Sequence, residues 1–149
     1  MNDELKDIIY SDLYRYTGNK RRLSKVYLTY LQECMSSPEF RYLSTLRRTQ
    51  YYFYRSQADD NRLHVLWNTF MFRFCDIRLN MKSRKYHFQI PYETKIGKGF
   101  YIAHFGRLII HPQSVIGHNV NISTGVVIGT QFRGPRKGAP TIGNYVWIG

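Results

Sequence analysis

Carboxylates are scarce in this sequence: ten Asp and Glu stand against 22 Lys and Arg, giving a formal net charge of +12. No carboxylate cluster accompanies the five histidines, and no two histidines have the i, i+4 spacing of helical metal ligands. We therefore expect no metal. Cysteine is equally sparse. Cys34 and Cys75 have neither the spacing nor the neighbours of a metal or redox motif, and read as buried free thiols in a reducing compartment. No apolar run approaches the ~18 residues of a membrane span. The opening MNDELKDIIY is acidic and amphipathic, unlike a signal peptide. These absences together predict a cytoplasmic protein.

What is present suffices for a folded core. Of the 149 residues, 43% are hydrophobic and 16% aromatic, which excludes disorder. The positive excess is spread along the chain, with 16 basic against 9 acidic residues in 1–89 and 6 against 1 in 90–149. Such a field favours anionic partners without choosing among nucleic acid, a phosphorylated cofactor, an anionic lipid surface and an acidic glycan.

Residues 1–88 carry helical patterning. Leu5, Ile8, Ile9, Leu13 and Tyr16 predict a first helix ended by Gly18. A weaker second helix is predicted from Ser24 to about Met35, with Val26, Tyr27, Tyr30 and Leu31 on one side. Ser37-Pro38-Glu39 predicts the start of a third, with Phe40, Leu43, Leu46, Tyr51 and Tyr54 inward. After a turn at Ala58–Asn61, a fourth helix is expected from Arg62 to Lys85, burying Leu66, Phe70, Phe74, Ile77 and Met81. The Tyr and Arg residues of this half read as core aromatics and solvated charges. No nucleic-acid-binding motif organises them, and we expect no nucleic-acid partner.

From residue 89 to 149 the composition shifts to Ile, Val, Gly and Pro, and a period of six appears. Ile90, Ile96 and Ile102 share it, as do Ile110, Ile116, Ile122 and Ile128, and Ile142 with Ile148. Six fits neither an amphipathic helix nor a hairpin. It fits a solenoid of short strands and turns in which three units close a triangular coil. Isoleucine points inward, and the crowded corner after it favours Gly or a small residue that tolerates the left-handed region. Two breaks interrupt the phase. Ile102 to Ile110 is eight residues and contains His104. Ile128 to Ile142 is fourteen and ejects the loop Thr130–Pro140, which is basic through Arg133, Arg136 and Lys137. Irregularities on a rigid scaffold are where chemistry is usually placed.

The segments KIGKGFYIAHFG (Lys95–Gly106), SVIGHNVNIS (Ser114–Ser123), GVVIG (Gly125–Gly129) and the loop closing on Pro140-Thr141-Ile142-Gly143 resemble serine acetyltransferases and related hexapeptide acyltransferases. The lead-in Lys85–Pro91 is similar to a branch found with polysaccharide-synthesis genes. The resemblance implies an α+β fold: a helical N-terminal region at 1–88, then a short left-handed parallel β-helix at 89–149. It implies a homotrimer with acetyl-CoA between neighbouring subunits, and His104 as the base that deprotonates an acceptor hydroxyl. Gly129 and Thr130 fall where the family holds the pantetheine arm, and Arg133 and Lys137 are phosphate partners by charge. Four positions depart from serine acetyltransferases. Gln89 and Ala103 stand where the family has aspartates, and Gly138-Ala139 replace the arginine and histidine before the loop's closing proline. A sugar hydroxyl on a glycan or capsular precursor thus competes with serine as acceptor. The chain also ends at Gly149 in mid-coil, which reads as a truncation. That leaves an inactive scaffold or fragment as the further alternative.

Overall fold

In the computed structural model, which describes residues 3–18 and 26–149, four helices precede nine short strands. Helix α1 (Asp3–Thr17) buries Leu5, Ile9 and Leu13 and ends at Gly18, whose φ of 60° lies in the left-handed region. The Gly18 amide closes the last turn on the Tyr14 carbonyl at 3.0 Å. Helix α2 spans Val26–Ser36. Ser24 and the side chain of Val26 lie outside the described residues. Of the residues expected on one side, Tyr27 and Leu31 are exposed and Tyr30 is half-buried, while Thr29 is buried and Cys34 half-buried.

Helix α3 (Pro38–Ala58) begins as its sequence predicts. Ser37 Oγ accepts from the Phe40 amide at 3.2 Å, and Pro38 occupies the first turn. Phe40, Leu43 and Leu46 are buried, but Tyr54 is exposed and Tyr42 takes an inward place. This helix is embedded on several sides, so a single stripe does not describe it.

Helix α4 (Arg62–Tyr86) runs antiparallel to α3 with the opposite face inward from the one its pattern suggests. Phe72, Cys75 and Leu79 are buried, whereas Leu66, Phe70, Phe74, Ile77 and Met81 are exposed. Both faces are apolar at helical spacing, so periodicity alone could not choose between them. The choice is made by partners: Phe72 meets the rings of Phe53 and Tyr92 at 5.3 and 5.1 Å.

The strands wind into three coils. β1 (Phe88–Gln89), β2 (Lys95–Ile96) and β3 (Tyr101–Ile102) make the first; β4 (Leu108–Ile110), β5 (Val115–Ile116) and β6 (Asn121–Ile122) the second; β7 (Val127–Ile128), β8 (Thr141–Ile142) and β9 (Trp147–Ile148) the third. They stack as three parallel sheets, β1–β4–β7, β2–β5–β8 and β3–β6–β9. Register aligns Ile96 with Ile116 and Ile142, Ile102 with Ile122 and Ile148, and Ile110 with Ile128. The six-residue period is thus the inward column of each prism face.

The corners after Ile96 and Ile116, where a further coil stacks above, are crowded but not left-handed, whereas the one after Ile142 is open. A Cβ at Gly97 would lie 2.6 Å from the carbonyl group of Gly117, and one at Gly117 2.7 Å from that of Gly143. The left-handed positions come two residues later, at Gly99, Asn119 and Tyr145 with φ of 73°, 55° and 58°. Close stacking of successive coils, rather than backbone handedness, therefore requires the first glycine.

The open edge of the first coil is capped by helix side chains. Tyr42 Oη accepts from the Ile90 amide at 3.3 Å and donates to the Ile90 carbonyl at 3.2 Å. Tyr16 Oη does the same at Ile102, at 3.1 and 3.3 Å. Arg47 donates to the carbonyls of Ile96 and Gly97 at 2.7 and 2.6 Å, and Gln50 to those of Tyr92 and Thr94 at 3.2 and 2.7 Å. Edge groups that would otherwise be unpaired are thereby satisfied. Burial raises both tyrosines, Tyr42 to about 12 and Tyr16 well above its ordinary value, so each stays a neutral donor.

Candidate active site

His104 lies in the turn joining β3 to β4, where the first coil carries two more residues than the second at the same corner. Both ends of the turn are pinned to the second coil: the Ala103 amide donates to the Ile122 carbonyl at 3.0 Å, and the Gly125 amide to that of Arg107 at 2.7 Å. Gly106, with φ of 147°, packs where a Cβ would meet the Thr124 side chain at 3.2 Å. The extra length has to bulge outward, and His104 and Phe105 are exposed on the bulge. The expected base therefore stands free on a rigid coil.

Of the other four histidines, His64 Nδ1 lies 3.5 Å from the Asp59 carboxylate and three serve turns. His118 Nδ1 accepts from the Lys98 amide at 3.1 Å, His111 Nδ1 from the Gln113 amide at 3.3 Å, and His87 caps α4 with φ of 59°.

Gly129 and Thr130 leave β7 and lead into the basic loop, which has an order the sequence did not disclose. Gln131 and Gly138 exchange backbone hydrogen bonds at 3.0 and 2.9 Å, and Gln131 Nε2 donates to the Arg133 carbonyl at 2.8 Å. This small hairpin, turned through Gly134 and Gly138 at φ of 87° and 116°, presents Arg133, Arg136 and Lys137 to solvent. None of the three forms an ion pair among the described residues. Among the described residues other than its chain neighbours, no atom lies within 4 Å of a Cβ position at Gly129, so there is room for a ligand against the backbone there.

Within one chain, His104 and this loop are not brought together. His104 occupies the corner before β4 and the loop the corner after β7, so the β1–β4–β7 face lies between them. Six extended residues make such a face at most about 20 Å wide.

Beside the His104 turn, a hollow of about 460 Å³ is lined by Ser83, Arg84, His87, Gln89 and Arg107. Sequence reasoning marked Gln89 only as a departure, and passed over Arg84 and Arg107. Their signal was basic residues at the end of α4 and immediately before β4, which only the fold makes neighbours.

No protein-family model and no curated protein sequence matches the chain. Solved structures do. Serine acetyltransferase isoform 3 from Entamoeba histolytica, in complex with cysteine, matches with a TM-score of 0.63 and 19% identity over 97% of this chain and 45% of that one. A serine acetyltransferase in complex with CoA matches with a TM-score of 0.59 and 22% identity, covering 95% of this chain and 50% of the other. The Brucella abortus strain S19 serine acetyltransferase gives 0.58 and 18% over 98% and 54%. The chain has the fold of these proteins, helices followed by a left-handed β-helix, and spans about half their length.

Proposed function

We propose that this chain is an acetyl-CoA-dependent O-acetyltransferase in which His104 is the general base. The observation that carries the reading is the exposed His104 on the bulged corner of a coil whose fold is that of serine acetyltransferases. Its imidazole takes the proton of an acceptor hydroxyl as the oxygen attacks the thioester carbonyl. On collapse the C–S bond breaks, the acetyl group stays on the acceptor oxygen, and the imidazolium returns the proton to the CoA sulfur. Acetyl-CoA is a substrate here. Gly129 and Thr130 hold its pantetheine arm, and Arg133 and Lys137 meet its phosphates.

Because His104 and the loop occupy different edges, the site is completed by a second copy, with His104 of one subunit facing the loop of its neighbour in a homotrimer. Cys34 and Cys75 as free thiols support a cytoplasmic setting. Among the described residues no helix is long and apolar enough to cross a membrane.

Serine is the acceptor named by the likeness. A second reading, an anionic sugar on a glycan precursor, is favoured by the hollow beside His104. Arg84, His87 and Arg107 line it, and Gln89 replaces the aspartate expected there. Among the described residues an acidic sugar finds donors in it and no carboxylate.

A thiol-release assay with acetyl-CoA, using serine and neutral and acidic sugars as acceptors, tests both readings. Acceptor-dependent release that falls at least a hundredfold in His104→Ala is expected. Arg107→Gln then weakens an acidic sugar and spares serine. No release and no CoA binding in the same sample overturn the enzyme reading and leave a scaffold.

A further inference from the structure

The helices enclose a second cationic site, remote from His104 in sequence and built by other elements. A cleft of about 600 Å³ opens between α2, α3 and α4. Among the described residues four cations line it, Arg41 and Arg48 from α3 and Arg78 and Lys82 from α4, and no carboxylate does. None of the four forms an ion pair among the described residues.

The arrangement is held in place from within. Arg41 is fixed by donating to the Cys34 and Met35 carbonyls, each at 2.5 Å, which closes the C-terminal end of α2. Arg48 donates to Tyr30 Oη at 2.6 Å. Lys82 donates to the Arg41 carbonyl at 3.0 Å and to Thr45 Oγ1. These bonds orient the cations but leave their charge unbalanced. Burial, with Arg78, Arg41 and Arg48 close by, pushes the Lys82 ammonium down to about 8. Four like charges brought together in a partly buried cleft are costly unless an anion joins them. The remaining wall is apolar and aromatic: Tyr27, Leu31, Tyr52, Met71 and Phe74. Tyr27 and Leu31 are the α2 residues whose exposure the amphipathic pattern did not anticipate, and they stand on this cleft.

We propose that the cleft between α2, α3 and α4 is a binding site for a small soluble organic phosphate that also carries an aromatic or apolar group. The cations meet the phosphate oxygens in charge-assisted hydrogen bonds, and the tyrosine and leucine wall covers the apolar part. The inference is independent of acetyl transfer.

Isothermal titration with phenyl phosphate and with inorganic phosphate, at constant ionic strength, tests it. Phenyl phosphate is expected to bind at least tenfold tighter than inorganic phosphate. Arg78→Gln, an exposed change that leaves the core untouched, weakens it several-fold, and Arg78→Gln with Lys82→Met weakens it more than tenfold. Arg133→Gln with Lys137→Gln, which strips the β-helix loop, leaves it unchanged. A local readout accompanies these: Cys34 lines the cleft and is half-exposed, so phenyl phosphate slows its alkylation. Equal affinity in the cleft variants, loss of binding in the loop variant, or an unchanged Cys34 rate overturns the proposal. So does association with phosphatidylglycerol vesicles without phenyl phosphate binding, which makes the partner a membrane.

Discussion

Asp12 of α1 and Arg47 of α3 meet at 2.8 Å between the helices and the first coil, with 1% and 4% of their side chains exposed. The pair is also the joint between the two halves of the chain. Asp12 Oδ1 accepts from the Phe100 amide at 2.9 Å while Arg47 reaches the Ile96 and Gly97 carbonyls. Removing one partner strands the other, and Asp12→Ala or Arg47→Ala should each cost about 3–5 kcal/mol. A double change to Leu and Met often rescues a buried pair. Here it leaves the Phe100 amide and two carbonyls without partners, so the double variant should remain well below wild type in urea unfolding. Wild-type stability in the double variant would show that the joint is mere packing.

Tyr42 gives a milder test of the same cap. Its hydroxyl serves both backbone groups of Ile90 from a fully buried position. Tyr42→Phe keeps the ring and removes both bonds, so the expected loss is about 1–3 kcal/mol. The midpoint of chemical unfolding, followed by circular dichroism, reads it. An unchanged midpoint would mean that water already serves the Ile90 edge.

Corner glycines should divide by what stacks above them. A methyl at Gly117 would lie 2.4 Å from Asn144 Oδ1 and 2.7 Å from the Gly143 carbonyl carbon, whereas Gly143 has open space. Gly117→Ala should destabilise by about 1–3 kcal/mol or more, and Gly143→Ala by at most about 0.5 kcal/mol. Similar unfolding temperatures for the two variants would contradict the coil-on-coil stacking described above.

The two faces of α4 offer an equally direct comparison. Leu79 is 3% exposed and Ile77 61%. Leu79→Ala should cost about 2–5 kcal/mol and Ile77→Ala well under 1 kcal/mol. The reverse order would restore the face chosen by periodicity. Sequence patterning fails at this helix for a physical reason. Two apolar stripes compete on it, and rings from α3 and Tyr92 decide between them. The β-helix was legible because its period of six has no competing reading, and nine isoleucines carry it on either side of two breaks. The bulged turn that carries His104 was legible through the eight-residue break, as was the ejected loop through the fourteen-residue one. The capping network was not. Asp12 and Arg47 sit at inward helical positions beside Leu13 and Leu46, but a charge there acquires meaning only when the edge it serves is known. That His104 and the loop occupy different corners was also hidden, since spacing along the chain does not say which prism edge a residue reaches.

Lys82 makes stability depend on pH in a direction that can be worked out. Its folded-state pKa, about 8, lies below the ordinary 10.5, because burial and then Arg78 disfavour the ammonium. Between those values the unfolded chain binds more protons than the folded one, so this residue makes stability rise with pH across the window and penalises it most below pH 8. Tyr16, Tyr42, Tyr30, Tyr52 and Cys75 are acids held above their usual range by burial, and they act with the opposite sign as alkali begins to ionise them in the unfolded chain. The wild-type profile alone is therefore a composite. The difference between wild type and Lys82→Met cancels the tyrosines and leaves the lysine, together with the smaller effect of its charge on the Cys75 thiol. Wild type should gain on the variant steadily from pH 8 to pH 10, whatever the constant offset from the lost bonds to Thr45 and the Arg41 carbonyl. Saturating phenyl phosphate should flatten that gain below pH 9, because a bound anion favours the ammonium and returns its pKa toward the ordinary value. A difference that does not vary with pH in the free protein would mean that the Lys82 ammonium is solvated normally, and the cleft cations would then not be crowded at all.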